Sequence, residues 1–279
     1  MAVLSNKTVR RLLEGPSPIR DHIVHYIKKY EWGSYEFRVG IGAVDRPQYA
    51  HIIYNAADLA KRLGYPKISV IEFGVAGGNG LVAMERHAER IEKLFSIEIE
   101  VYGFDRATGL PHPIDYRDFP YAAAAGMYVM DVDKLRRRLT RSKLVIGDIE
   151  QTVRSFFADY NPAPIGAIAY DMDYYSSTVD SLKMFDMGEE NFLPRSFCYF
   201  DDTVSDTIDL CNDYIGERLA IEEFNRAHEF IKVTRPYYFL LRAPQIWHHQ
   251  IWVTHMFKHG KYNSLVLDIG AQDRLELRS

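Results

Sequence analysis

Short apolar runs that alternate with segments of helical periodicity are the feature that most constrains how this 279-residue chain can fold. Parallel strands need long crossover connections, which are usually helices, so the alternation predicts an α/β fold with a mostly parallel sheet and helices on both faces. Two later runs rich in aromatic and branched residues, 236–241 and 249–257, predict an antiparallel C-terminal strand pair, and residues 264–270 are a candidate edge strand. The five apolar runs are residues 68–74, 97–105, 143–148, 165–173 and 196–202.

The N-terminal part of the chain predicts a helical cover for this sheet. Apolar residues recur at helical spacing within residues 7–30, where a proline-containing break divides the segment into two helices. Residues 47–63 predict a further amphipathic helix. We therefore expect residues 1–66 to form a helical N-terminal cover segment and residues 67–279 to form one Rossmann-like α/β domain.

Charge and composition exclude several classes of partner. The formal net charge is −4, so the chain lacks the broad basic field of a nucleic-acid-binding protein, and the basic run 134–143 has the spacing of a solvated helix face. No apolar run approaches the length of a membrane span, and residues 1–20 do not resemble a signal peptide. Cys198 and Cys211 lack the spacing of a disulfide framework or a zinc site. These features predict a cytoplasmic protein with a small-molecule substrate.

Acidic residues at the strand ends are the most informative feature. Four of the five apolar runs end in an acidic residue, and the first run carries Glu72 near its end. Open parallel sheets bind ligands beyond the carboxyl ends of their strands, so we expect these carboxylates to converge on one crevice. Crowded carboxylates without partners are costly, which predicts a ligand rich in hydroxyl donors, a cation, or both.

A glycine-rich turn follows the first strand, in the sequence EFGVAGGNG at residues 72–80. Glycines let the backbone turn sharply and approach a ligand closely, so Gly74, Ala76 and Gly78 are predicted to bind a cofactor. Such a turn is weak evidence by itself, because it also suits dinucleotides. However, the usual G-x-G-x-x-G spacing is absent, and Glu72 would repel a pyrophosphate while suiting the cationic amino-acid group of S-adenosylmethionine.

The next two strands supply two further candidates for the cofactor site. Asp105 closes the second strand, where its carboxylate could accept hydrogen bonds from both ribose hydroxyls or could cap the loop. Asp148 follows the third strand, where it could lie near the adenine or could cap the helix from residue 149. The sequence leaves both choices for Asp148 open.

Two acidic clusters follow the fourth and fifth strands. Asp171, Asp201 and Asp202 offer the hard oxygen ligands that Mg²⁺ or a similar divalent cation prefers. The alternative is that Asp173 and Asp202 only cap the helices that follow them. Because the two clusters lie at equivalent strand ends, the pattern favours a metal site.

Taken together, these motifs resemble the macrocin O-methyltransferase family of class I S-adenosylmethionine-dependent methyltransferases. The matching segments keep the order that they have in the family. The chain departs from the family at Ala76, Gly77 and Tyr174, and its first fifty residues and aromatic C-terminus match less well. The segments are residues 72–80, 103–111, 143–153, 171–178, 200–202 and 216–228.

The resemblance implies a metal-dependent O-methylation, typically of a sugar hydroxyl on a natural product, by a methyltransferase domain at residues 67–279. Asp171, Asp201 and Asp202 would hold the ion, and Asp171 or Asp173 would take the hydroxyl proton. Asp171 would also contact the cofactor. Weaker candidates for the proton acceptor are His51, His248 and His249.

Other features of the sequence bear on the cover, on assembly and on competing functions. Residues 106–142 are too long for a simple connection and predict a cover over the site. The aromatic C-terminal strands would suit a homodimer interface. A nicotinamide-dependent oxidoreductase or epimerase is disfavoured because the sequence has no Y-x-x-x-K motif. A non-catalytic partner protein that binds the cofactor is the other alternative, and loss of the metal ligands would mark it.

Overall fold

A seven-stranded sheet organises the protein, for which a computed structural model describes residues 18–242 and 244–267. The strand order is β3-β2-β1-β4-β5-β7-β6, in which β1 to β5 run parallel and β7 runs antiparallel to both β5 and β6. This confirms the mostly parallel α/β sheet with an antiparallel C-terminal pair. The strands are β1 Lys67–Phe73, β2 Glu98–Asp105, β3 Lys143–Ile146, β4 Ile165–Tyr170, β5 Phe192–Phe200, β6 Ile231–Thr234 and β7 Ile251–Met256.

Helices cover both faces of this sheet. The side chains of β1 alternate between two hydrophobic clusters: Ile68 and Val70 join the cluster that contains α3 and α4, whereas Ile71 and Phe73 join the cluster that contains α6 to α8. Among the described residues, no helix has both the length and the apolar character to cross a membrane. The helices are α1 Pro18–Tyr30, α2 Tyr35–Ile41, α3 Pro47–Arg62, α4 Asn79–Phe95, α5 Val132–Arg138, α6 Ile149–Tyr160, α7 Tyr175–Leu182 and α8 Gly216–Ala227, with short 3-10 turns at Tyr116–Asp118, Lys183–Asp186, Glu189–Asn191, Asp201–Thr203, Tyr237–Leu241 and Ile246–Gln250.

The N-terminal helix α3 forms part of the sheet's own core. Ile52, Ile53 and Ala56 are fully buried, and the helix begins with Pro47, which suits a first helical position because its missing amide proton would have no partner there. The predicted helix at residues 47–63 is therefore confirmed. The first of the two helices predicted within residues 7–30 lies largely outside the described residues. The domain boundary at residue 66 stays a prediction.

The predicted strand at residues 236–241 is wrong. This segment forms the 3-10 turn Tyr237–Leu241, and the strand that pairs with β7 is Ile231–Thr234 instead. The aromatic residues serve packing rather than strand pairing, because the Tyr238 and Phe239 rings lie 5.9 and 5.2 Å from the His51 ring of α3. Residues 264–267 form no strand, and the rest of the predicted edge strand lies outside the described residues.

Two buried histidines should make the fold sensitive to acid. Burial lowers the pKa of His51 to about 3 and that of His87 to about 4. Both are neutral in the folded and unfolded chain above pH 6.5, but below it only the unfolded chain takes up their protons. Stability should therefore fall from about pH 6.5 downwards, by about 1.4 kcal/mol per pH unit for each histidine.

Urea unfolding at pH 7.5 and pH 5.0 measures this loss. The variant His51→Gln can still bond the Tyr238 hydroxyl, which lies 2.6 Å from His51 Nε2, but it cannot take up a proton. Its loss of unfolding free energy between the two pH values should be about 2 kcal/mol smaller than that of the wild type. If the wild type and His51→Gln lost the same unfolding free energy between the two pH values, His51 would not be a source of the acid sensitivity.

Candidate active site

Strand register brings the predicted site residues to one rim of the sheet. Phe73 of β1 pairs with Phe104 of β2 and Tyr170 of β4, and Tyr170 pairs with Phe200 of β5. Strand β1 lies between β2 and β4, so the strand order reverses at this point, which is where open α/β sheets bind ligands. The residues that directly follow the paired positions are Gly74, Asp105, Asp171 and Asp201.

A cavity of about 460 Å³ opens at this rim. Its wall is formed by the glycine-rich turn and by the residues that follow β2, β3 and β4. The structure thus brings together the whole set predicted to bind the cofactor, and that role stays a prediction. The predicted residues in the wall are Glu72, Gly74, Ala76, Gly78, Asp105, Asp148 and Asp171.

Gly74 and Gly78 of the glycine-rich turn combine a positive φ with a lack of room for a side chain. Gly74 has a φ of +83°, and a Cβ there would lie 1.8 Å from the carbonyl oxygen of Asp171. Gly78 has a φ of +78°, and a Cβ there would lie 2.1 Å from Leu135 Cδ1. Gly77, in contrast, has no atom within 4 Å of a Cβ. The turn therefore requires glycine for close packing at the first two positions.

Asp105 braces the glycine-rich turn. Its Oδ2 accepts hydrogen bonds from the amides of Val75 and Ala76 at 2.9 and 2.8 Å, and its Oδ1 accepts from the amide of Ala107 at 2.6 Å. These bonds hold Ala76 in the left-handed region, with a φ of +45°. The loop-capping alternative is thus realised. A carboxylate has about four lone-pair sites, so Asp105 can still accept a ribose hydroxyl.

Asp148 lies on the cavity wall at the N-cap position of α6, but its side chain makes no capping hydrogen bond with the helix. Its Oδ1 lies 3.6 Å from the Arg106 guanidinium instead. The sequence allowed Asp148 either to cap this helix or to lie near the adenine, and the hydrogen bond that capping requires is not formed. The role beside the adenine stays a prediction.

Glu72 presents a buried carboxylate oxygen to the cavity. The residue is 1% exposed, and its Oε1 accepts a hydrogen bond of 2.6 Å from the Tyr49 hydroxyl. Its Oε2 has no hydrogen-bond partner among the described residues. Burial raises the pKa of Glu72 to about 8, and the positive charge of Arg46 opposes that rise. A buried oxygen without a protein partner can accept a hydrogen bond from a water molecule or a ligand.

A second cavity of about 320 Å³ adjoins the first. Asp171, Asp173 and Tyr128 line both cavities, and Asp201 and Asp202 line only the second. The three predicted metal ligands and both predicted catalytic residues therefore meet at one place. Asp171 and Asp173 lie where the two cavities share a wall.

These carboxylates repel one another. Burial, followed by the charges of Asp201 and Asp202, raises the pKa of Asp171 well above its ordinary value. Burial, followed by Asp173 and Asp201, does the same to Asp202. Burial and the neighbouring charge of Asp201 raise the pKa of Asp173 to about 6. A cation placed among these groups would favour their ionised forms.

The predicted magnesium site has the right donor chemistry, because carboxylate oxygens are the ligands that Mg²⁺ prefers. Two of its members already have protein partners: Asp201 Oδ1 accepts from Tyr199 and Gln250, and Asp202 Oδ2 accepts from the amide of Asp173 at 3.0 Å. Within the described part of the chain, no group of three or more His, Cys, Asp or Glu side chains is arranged so that it could hold a metal ion. Magnesium binding stays a prediction.

The two acidic clusters do not make the hydrogen bonds that the helix-capping alternative requires. Helix α7 begins after Tyr174 without a side-chain cap, and the Asp202 carboxylate binds the amide of Asp173, which lies on a different strand end. Asp173 itself has a φ of +59°, in the left-handed region. Capping by Asp173 and Asp202 therefore does not account for the two clusters.

The long connection after β2 covers both cavities. Asp118 fastens it: this residue is 1% exposed, and its carboxylate accepts hydrogen bonds from the Ile114 amide and from the amide and hydroxyl of Ser176, at 2.8 to 2.9 Å. Beyond this anchor, Tyr128 borders both cavities. The contacts agree with the predicted cover in residues 106–142.

Several residues near the site escaped sequence reasoning. Arg46 lines the first cavity although it belongs to the N-terminal segment. Glu217 is fully buried, and its Oε2 accepts from the Asp202 amide at 2.9 Å. Arg138 donates to the Gly77 carbonyl at 3.0 Å, so the basic run 134–143 is more than a solvated helix face. Of these, only Glu217 had a sequence signal, since it lies in one of the segments on which the predicted resemblance to the macrocin family rests.

The three histidines proposed as weaker proton acceptors lie elsewhere. His51 and His248 pack against Phe239, with ring centroids 5.2 and 4.2 Å from it, and His249 is exposed. They line neither of the two cavities. Of the residues predicted to accept the proton, Asp171 and Asp173 line the cavities and these three histidines do not.

Comparison with known proteins supports the fold. No family model matches the sequence, and no curated protein matches it. Among solved structures, the O-methyltransferase NovP is similar with a TM-score of 0.50 and 13% sequence identity, over 86% of this chain and 98% of NovP. This likeness is one of fold. The calicheamicin methyltransferase CalS11 gives a TM-score of 0.47 and 19% identity, over 80% of this chain and 86% of CalS11. Membership of the macrocin family stays a prediction.

Proposed function

We propose that this protein is an S-adenosylmethionine-dependent O-methyltransferase that acts on a hydroxyl group of a small molecule. The observation that carries the proposal is the lining of the first cavity, where Glu72 offers, beside a glycine-rich turn, a buried oxygen that has no partner among the described residues. The cofactor's ammonium would bind Glu72, its ribose Asp105 and its adenine end Asp148. The fold likeness to an O-methyltransferase supports this choice.

The second cavity would hold the acceptor, which we propose to be a sugar or another natural-product hydroxyl, as the family resemblance implies. Asp171 and Asp173 lie on the wall between the cavities, where the methyl group and the acceptor oxygen must meet. The acceptor oxygen would form a bond to the methyl carbon while the carbon–sulfur bond breaks. Asp171 or Asp173 would take the hydroxyl proton, and a carboxylate with a raised pKa is a better base for this step.

A divalent cation such as Mg²⁺, held by Asp171, Asp201 and Asp202, belongs to the same proposal. When bound, such an ion would lower the pKa of the acceptor hydroxyl and fix its orientation. The support is the position of the three carboxylates around the second cavity, where the charges of Asp201 and Asp202 raise the pKa of Asp171 and no cationic side chain in the described part of the chain forms an ion pair with them.

Thermal unfolding with added ligands tests the cofactor. S-adenosylmethionine and its demethylated product should each raise the melting temperature, because a ligand that binds only the folded state stabilises it, whereas NAD should not. Stabilisation by NAD alone would favour the oxidoreductase alternative. Methyl transfer from labelled S-adenosylmethionine to a panel of glycosides and phenols then distinguishes an enzyme from a protein that only binds the cofactor.

A further inference from the structure

Arg46 lies in the wall of the first cavity together with Glu72. It directly precedes Pro47, the first residue of α3, and its φ is +39°. This left-handed conformation is disfavoured for any residue with a Cβ. Strained backbone conformations of this kind cluster at active sites and ligand-binding positions.

The Arg46 guanidinium borders the cavity without an ion-pair partner in the described part of the chain. Within residues 18–242 and 244–267 it forms no ion pair and no side-chain hydrogen bond. Its Cζ lies 5.4 Å from the centroid of the Tyr49 ring, and the hydroxyl of that tyrosine donates to Glu72 Oε1. The guanidinium is also close enough to Glu72 to affect the ionisation of that carboxyl group.

The cavity wall therefore carries one cation and one carboxylate oxygen, neither of which has an ion-pair or hydrogen-bond partner in the described part of the chain. An α-amino acid group carries the complementary pair, an ammonium and a carboxylate. We infer that Arg46 binds the α-carboxylate of the cofactor's amino-acid end while Glu72 binds the ammonium of the same group. This inference rests on the proposed function. An arginine fork can make two parallel hydrogen bonds to a carboxylate, which gives both affinity and orientation.

The other arginine in the wall fits this role less well. Arg106 lies 3.6 Å from Asp148, so its charge already has a carboxylate near it. Asp148 follows β3, whereas Glu72 lies at the end of β1, so the two arginines serve different ends of the cavity. The amino-acid end is therefore assigned to Arg46.

Calorimetric binding of two cofactor forms tests the inference. S-adenosylmethionine and its decarboxylated form both carry the ammonium, and they differ only in the carboxylate. Arg46→Met should weaken binding of S-adenosylmethionine by about ten- to a hundredfold and binding of the decarboxylated form by less than about twofold. Arg46→Lys, which keeps the charge but loses the fork, should give an intermediate loss. The control Glu72→Gln should weaken both forms.

The outcomes of this experiment distinguish failure of the Arg46 inference from failure of the proposed methyltransferase function. If Arg46→Met and Arg46→Lys weaken both cofactor forms by the same factor, or weaken neither, Arg46 does not bind the carboxylate and the inference is overturned while the methyltransferase proposal stands. If the wild type binds neither form, the proposed function fails and the inference falls with it. Melting temperatures without ligand show whether each variant is folded.

Discussion

Gly74→Ala should reduce S-adenosylmethionine affinity by at least about a hundredfold and destabilise the fold by about 3 kcal/mol. Alanine at a φ of +83° is strained, and its Cβ would lie 1.8 Å from the carbonyl oxygen of Asp171. That oxygen is backbone, so it cannot move aside without shifting the residues that follow β4. The shift would displace the turn and Asp171 together, and both line the cofactor cavity.

Gly77→Ala in the same turn is the matched control for stability. A Cβ at Gly77 has no atom within 4 Å, so its unfolding free energy should stay within about 0.5 kcal/mol of the wild type. Urea unfolding measures both variants, and calorimetry measures the cofactor affinity of Gly74→Ala. Equal stability of the two variants would show that the turn has more freedom than its contacts indicate.

The sequence predicted the sheet because strand ends leave a local pattern. Strands β1, β4 and β5 are mostly buried apolar runs followed directly by glycine or an acid, and β2 itself ends in Asp105. The short, partly exposed β3 is followed by Gly147, so the same local pattern marks its end. The failure at residues 236–241 shows the limit of that reasoning. Aromatic residues do not determine backbone conformation, and here Tyr238 and Phe239 pack against His51 from a 3-10 turn.

The candidate site was predictable to the extent that parallel strands bring their ends together. Asp105 and Asp171 could be placed at one rim from the strand pattern alone. Whether the Asp105 carboxylate accepts hydrogen bonds from the amides of the turn depends on the path of the loop, and no local sequence pattern predicts that path. Arg46 reaches the cavity only because α3 packs on the sheet, and such tertiary packing has no signal near residue 46.

Neutralising Asp201 and Asp202 together, as Asp201→Asn with Asp202→Asn, should reduce methyl transfer by at least about a hundredfold while leaving the cofactor bound. Neither residue lines the first cavity, so S-adenosylmethionine affinity should change by less than about threefold. The bonds that these side chains accept, from Tyr199, Gln250 and the Asp173 amide, can all be accepted by an asparagine oxygen.

The same double variant should be at least as stable as the wild type, because it removes two mutually repelling acidic groups from a half-buried cluster without loss of volume or of the hydrogen bonds that these side chains accept. If the double variant keeps its stability but loses activity, Asp201 and Asp202 have a functional role rather than a structural one. Melting temperature and transfer to the best acceptor of the panel, each with and without EDTA, measure the two effects. Undiminished transfer after EDTA treatment would remove the metal from the mechanism, and undiminished transfer by the double variant would remove the carboxylates as well.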